Sequence, residues 1–442
     1  MGQKDKRYNN AARWISLSLL LSGCVSTSEF DRTYINQNIE AQASFNVGQP
    51  TAPGQLTLPQ TVNMQDGLSQ AEAVSTALFN NAQFQADLMR ISIAQADLIE
   101  AGQLPNPLLN VIFPTGTDVL KGTLNFSMDV LWQRPNRIKA SRLETERTAE
   151  NLVALGMRLI RDVSLAYIEY TFAQQRAVVG AESSRLRSEM ASITRKSYLA
   201  GDLSQMESAI ANADSLRAFD DRLQFAMQEQ LRKARLYYLM GVDSINSMQL
   251  QPLPASTYPR MQLNELMPVA LSARPEVRAA ALAIESKAKS LGWEKAKVVS
   301  FIGILNARRE HDGKLALGPG FQMPLPVFNF NRGRIMRARA EMEQAAYLYV
   351  EAKRQVQLEV QEALAQYQAA RQTADLWQLN RQPILNTADQ ARKAFEAGEV
   401  SYFFYLQTVL QVTDVQLRIV DADAALRRAA VQLNYALGRQ ML

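Results

Sequence analysis

Proline placement decides most of what this chain can become. None falls between residues 136 and 251, and only Pro383 falls between 327 and 442, leaving two tracts of 116 residues in which a helix need not stop. Glycine is sparse at 20 of 442 residues and 47% of the chain is hydrophobic, which excludes a collagen-like or disordered polymer. A helix from about Asn136 to Ala200 would hold 65 residues and, at 1.5 Å each, run for about 100 Å. That is longer than an ordinary globular domain.

The two tracts are copies of each other. Arg195-Lys196-Ser197-Tyr198-Leu199-Ala200-Gly201-Asp202-Leu203-Ser204 matches Arg392-Lys393-Ala394-Phe395-Glu396-Ala397-Gly398-Glu399-Val400-Ser401 at an offset of 197, and the register holds to Gly241 and Gly438. Upstream, Asn136-Arg137 matches Asn331-Arg332 at 195, and Ala86 matches Ala279 at 193. The chain therefore divides into residues 1–23, a leader; 24–65, an extended N-terminal segment; 66–241, a first repeat; 242–260, a proline-dotted linker; and 261–438, a second repeat. Each repeat reads as helix, β-hairpin, very long helix, glycine turn, long helix.

Two periodicities fill in that plan. Met206, Ile210, Ala213, Leu216, Phe219, Leu223, Met227 and Leu231 recur at three- and four-residue steps after Leu203, which predicts a coiled-coil seam. Thr123 to Val130 alternates strictly, with Leu124, Phe126, Met128 and Val130 on one face; Leu317, Phe321, Met323 and Leu325 repeat the pattern. Residues 108–113 and 298–307 are the candidate partner strands, giving four per chain. Such a sheet suits either a soluble core or lipid. If it is in lipid, four strands cannot close a barrel, and several chains must share one.

The N-terminus favours lipid. A basic and polar stretch precedes the short apolar run Trp14 to Leu21, too short to span a bilayer, and Leu21-Ser22-Gly23-Cys24 follows. This resembles the lipobox of bacterial lipoproteins, in which Cys24 would be lipidated and become the mature N-terminus; Val25 after it favours the outer membrane. Of the net charge of +5, the leader carries +3, so no nucleic-acid partner is implied. One cysteine and one histidine exclude an intrachain disulfide, a cysteine-rich metal cluster and paired-histidine zinc motifs. No catalytic constellation, metal site or cofactor is expected. His311 falls at the tip of the second hairpin, where a solvent-facing loop residue is a plainer reading than a ligand.

The lipobox, the twofold repeat, the Ala-Gly-Asp-Leu-Ser and Ala-Gly-Glu-Val-Ser turns and the segment Gly320 to Gly333 together resemble the TolC-like outer-membrane factors, with Pro324 to Asn331 similar to the heavy-metal, CzcC-like branch. The resemblance implies a mainly α fold with a small β part. Long helices would form a coiled-coil tube, and four strands per chain would enter a trimeric transmembrane β-barrel in the outer membrane of a Gram-negative bacterium. It implies a homotrimer, a periplasmic adaptor and an inner-membrane pump of the RND type as partners, and efflux, with metal cations among the cargoes. A type I secretion duct for polypeptides shares the fold; a non-conducting coiled-coil adaptor is the alternative from another class.

The resemblance also places the turns at the periplasmic tip. Gly201, Leu203, Ser204, Gly398, Val400 and Ser401 are then the adaptor-docking candidates, and Glu207, Phe404 and Gln407 the pore-constriction candidates. The run Tyr402-Phe403-Phe404-Tyr405 makes the second tip unusually aromatic. Arg137 and Arg332, just after each hairpin, are candidates for stacking or pairing where strands give way to helix.

Overall fold

A computed structural model describes residues 28–49, 52–59, 62, 66–113, 120–243, 249–254, 258–309 and 314–441. Cys24 and His311 lie outside the described residues. In chain order the elements are α1 (Arg32–Ala43), α2 (Gln70–Asn80), α3 (Ala82–Gly102), β1 (Leu108–Ile112), β2 (Lys121–Ser127), α4 (Val130–Ala200), α5 (Gln205–Met240), α6 (Leu263–Ala273), α7 (Pro275–Ala296), β3 (Ile302–Arg309), β4 (Leu315–Gln322), α8 (Arg332–Glu396) and α9 (Tyr402–Leu437). Two compact units form. One holds residues 88–151 and 276–352 with the described part of 1–35; the other holds 36–87, 152–275 and 353–442. Among the described residues no helix is long and apolar enough to cross a membrane.

The repeat grammar is present, with corrections at its joints. The segment before residue 66 is not wholly extended: Asp31 Oδ1 accepts from the backbone N–H of Tyr34, and α1 follows, burying Ile35, Ile39 and Ala43 at four-residue steps. The first long helix starts at Val130, six residues before the expected Asn136, and carries Pro135 inside it. The opening helix of each repeat is two helices. It breaks at Asn81 in the first repeat and at Arg274 in the second, where Pro275 forces the preceding residue out of helical backbone.

In the first unit the four strands form one antiparallel sheet in the order β1-β2-β3-β4. The central pair joins the two repeats, from Lys121↔Arg308 to Ser127↔Ile302. The expected strand through Val130 is shorter, because the ladder ends at Ser127 and Val130 opens the helix. Met323 and Leu325 likewise lie past the end of β4, and β3 begins at Ile302 and not at Val298.

Register sorts the side chains. Leu109, Leu124, Leu305 and Pro319 are cross-strand partners on one face, with Phe126, Leu317 and Phe321 beside them; Asn110, Thr123, Asn306 and Gly318 are partners on the other. Thr123 Oγ1 and Asn306 Oδ1 are 3.0 Å apart on that polar face. Most of the apolar face is exposed within the chain. Where the sheet meets helix, the edge of Trp132 abuts the Phe301 ring at 5.8 Å, and Phe301 in turn meets Phe321.

The second unit is closed by a device used twice. The last helix of each repeat ends on a left-handed glycine, Gly241 or Gly438, with φ of +69° and +70°. Asn81 Nδ2 donates to the carbonyl of Leu239 at 2.9 Å, and Arg274 donates to the carbonyls of Tyr435 and Ala436. Each helix break thus satisfies the carbonyls at the end of its own repeat's last helix.

The seam predicted on α5 does not close within the chain. Met206, Ile210, Leu216, Leu223, Met227 and Leu231 are all exposed. The helix instead buries Ala218 along this stretch and Leu236, Tyr237, Leu239 and Met240 near its end, while Phe225 lies against Gly180 of α4. A Cβ at Gly180 would come within 2.4 Å of that ring, so the absence of a side chain permits the contact.

Candidate functional site

Both turns singled out in the sequence lie in the second unit and share one backbone. Gly201 and Gly398 take φ of +87° and +77°. At the first, Gly201 N–H donates to Tyr198 O at 3.0 Å and Asp202 N–H to Ser197 O at 2.9 Å; at the second, Gly398 donates to Phe395 and Glu399 to Ala394, both at 2.9 Å. These are Schellman closures, which need left-handed backbone at the glycine. Three residues later Ser204 and Ser401 start the next helix, each side chain accepting an N–H, from Glu207 and Phe404 respectively at 3.2 Å. Leu203 and Val400 between them are half-buried.

The turns then part company. Glu207 completes a capping box: its carboxylate accepts from Ser204 N and Ser204 Oγ, both at 2.8 Å, and these bonds hold its carboxyl below the usual value. Phe404, at the matching position, is 52% exposed. Gln407 is exposed as well. Behind Phe404, Phe395 stacks on Tyr405 at 5.6 Å and meets Tyr402 at 5.0 Å.

Contacts between the repeats lie close by. Leu186 and Met190 of α4 bury themselves against Leu406 and Leu410 of α9, with Tyr402 and Tyr405 alongside. The Tyr402 hydroxyl donates to the Glu189 carboxylate, and this bond, more than burial, holds the phenol above its ordinary value. Arg187 binds Asp214 of α5 at 2.5 Å and Asp414 of α9 at 3.0 Å. One guanidinium therefore ties α4 to helices of both repeats. Sequence reading missed it, because the partners lie 27 and 227 residues away and no local spacing links them.

The two arginines after the hairpins take different roles. Arg137 donates to the carbonyls of Ala101 and Gln103 at 2.7 Å and caps the end of α3; Arg332 lies over the Phe330 ring at 5.5 Å. In the second repeat Asn331, with φ of +56°, donates to the Glu294 carbonyl near the end of α7.

A mainly helical chain with a four-stranded sheet contributed by two repeats is the fold of the TolC-like outer-membrane channels. The outer-membrane channel CmeC of Campylobacter jejuni matches over 89% of this chain and 94% of its own, with a TM-score of 0.68 at 16% identity. The outer membrane protein VceC of Vibrio cholerae matches over 84% of this chain and 96% of its own, with a TM-score of 0.67 at 17% identity. In sequence, the cobalt-zinc-cadmium resistance protein CzcC of Cupriavidus metallidurans is 22% identical over 380 residues, 83% of this chain and 89% of that protein. Residues 266–439, nearly the whole second repeat, match the outer membrane efflux protein family.

Proposed function

We propose that three copies of this chain form one passive efflux conduit, their sheets closing a twelve-stranded barrel in the outer membrane and their helical hairpins a duct through the periplasm. The observation that carries this is the sheet. One face is mainly apolar; the other gathers Lys121, Thr123, Asn125, Asn306, Arg308 and Gln322 among Leu108, Ile112, Ile302 and Ile304; and β1 and β4 are the sheet's outer edges. In lipid an open edge leaves backbone groups unsatisfied, and closed barrels begin at about eight strands, so one chain does not suffice. The outward stripe on α5 supports the same reading, with Met206 70% and Leu231 59% exposed along a helix that would otherwise hold them in water.

In this conduit Cys24 carries lipid in the outer membrane. The turns at Gly201, Leu203 and Ser204 and at Gly398, Val400 and Ser401 receive a periplasmic adaptor, which links the duct to an inner-membrane pump of the RND type. Glu207, Phe404 and Gln407 line the constriction there. The protein transports and does not catalyse. The name of the similar CzcC protein supports metal ions as cargo.

Two measurements test the reading together. The full-length protein in mild detergent should run with the mass of three chains, and it should conduct ions in planar bilayers. A monodisperse monomer without conductance would overturn it. Labelled fatty acid should mark the wild-type chain and not Cys24→Ala; label persisting in that variant would remove the anchor while leaving the barrel.

A further inference from the structure

Resting on the conduit reading, we infer that the barrel's inner wall selects against free cations, so that cargo leaves as an anion or a species without net positive charge. The four strands contain three ionisable side chains, all basic: Lys121 and Arg308 lie on the more polar face, and Arg309, opposite Leu315, on the mainly apolar one. Lys121 and Arg308 are direct cross-strand partners on the polar face, both exposed. Two register steps along, Thr123 and Asn306 form the next pair on that face. Among the strand residues the same face carries Asn110, Asn125 and Gln322, the aliphatic Leu108, Ile112, Ile302 and Ile304, and no carboxylate.

Like charges placed directly opposite each other destabilise a sheet. This fold nonetheless holds both at one level of one wall. In a trimer the pair becomes a ring of six basic side chains at one level of the lumen. Rings of lysine and arginine favour anions in pores, as rings of aspartate and glutamate favour cations. A metal ion, the cargo suggested by the similar CzcC protein, would meet this ring as a barrier unless an anionic ligand cancelled its charge. The interaction falls off over about 10 Å at 0.1 M salt, so its effect is largest for ions near the wall and at low ionic strength.

The test is the zero-current potential of the full-length protein in planar bilayers under a tenfold KCl gradient at low ionic strength. The wild type should pass chloride in preference to potassium. Lys121→Gln with Arg308→Gln should move the permeability ratio several-fold towards potassium, each single substitution should move it part of the way, and Arg308→Lys should leave it in place. A wild type that prefers potassium overturns the inference; it would mean that acids in the sequence between the paired strands, Asp118, Glu310 or Asp312, set the field, and their amide variants would then abolish that preference. An unchanged ratio in the double variant overturns it too. Conductance in every sample with no effect of charge leaves the conduit reading standing, whereas no conductance from the wild type removes that reading and the inference with it.

Discussion

The two helical turns solve one backbone problem with two chemistries. At Gly201 and Gly398 the closure is the same, a left-handed glycine followed by a serine cap with φ and ψ near −76° and 156° or −71° and 152°. The third helical residue differs: Glu207 folds back on its cap, while Phe404 faces outward above a cluster of Phe395, Tyr402 and Tyr405. The turn thus fixes the glycine and the serine and leaves the position after them free. Chemistry that differs between the repeats collects at that free position.

The largest effect should come from setting turn glycines against helix-end glycines. Gly241 has a positive φ, and a Cβ there would lie 2.2 Å from the Asn80 carbonyl oxygen, where backbone must move; at Gly201 nothing lies within 4 Å. Gly241→Ala should therefore cost about 3 kcal/mol or more and lose folded protein, whereas Gly201→Ala should cost only the left-handed backbone, about 1 kcal/mol. Gly438, with its nearest atoms at 3.2 Å, should fall between them. Thermal midpoints and membrane yields give the ranking. Equal damage at Gly201 and Gly241 would mean that the turn is packed and not open.

Arg187 offers a way to separate the two turns. Its side chain is 19% exposed, against 36% for Asp214 and 54% for Asp414, so screening limits each pair to about 1 kcal/mol or less. Arg187→Ala should then cost about 1–2 kcal/mol. Asp214→Asn should speed amide exchange on α5 near residue 214, and Asp414→Asn should do so on α9 near residue 414. If both substitutions loosened the same helix, Arg187 would not be holding two.

What could be read from sequence follows from the range of each interaction. The glycine and serine of each turn were legible because left-handed backbone and cap bonds are local demands. The sheet was legible through alternation, although Met128 and Val130 continue the pattern after the ladder stops at Ser127. The α5 stripe was visible, but periodicity marks an apolar face without saying what covers it. Asn81 and Arg274 escaped notice because unlike side chains do the same work, each donating to helix ends more than 150 residues away. Arg187 escaped for the same reason of distance.

A smaller effect should appear when the second turn is given the first turn's chemistry. Phe404→Glu would supply the missing half of a capping box, since Ser401 already accepts from the backbone of residue 404. The expected gain at the start of α9 is about 0.5–1 kcal/mol, seen as slower amide exchange in its first turn. Glu207→Phe should speed amide exchange in the first turn of α5, since the capping box there loses its carboxylate. In bilayers, Phe404→Glu should also change conductance if that ring lines the constriction; unchanged conductance would remove Phe404 from it.

Acid should distinguish the turns most subtly. The bonds from Ser204 hold the Glu207 carboxyl below its ordinary 4.5, so in the folded chain it keeps its charge to lower pH than in the unfolded chain. Its stabilising contribution is therefore complete above pH 4.5 and is lost as the pH falls through the lower folded value. Phe404 does not titrate, so the matching turn of α9 has no capping carboxylate to lose. Amide exchange in the first turn of α5, corrected for its intrinsic pH dependence and divided by that of α9, should hold steady from about pH 7 to pH 5 and rise below. Glu207→Gln should flatten the curve, since glutamine can accept the Ser204 N–H without titrating. A ratio that rises equally in that variant would assign the acid response to a group other than the capping carboxylate.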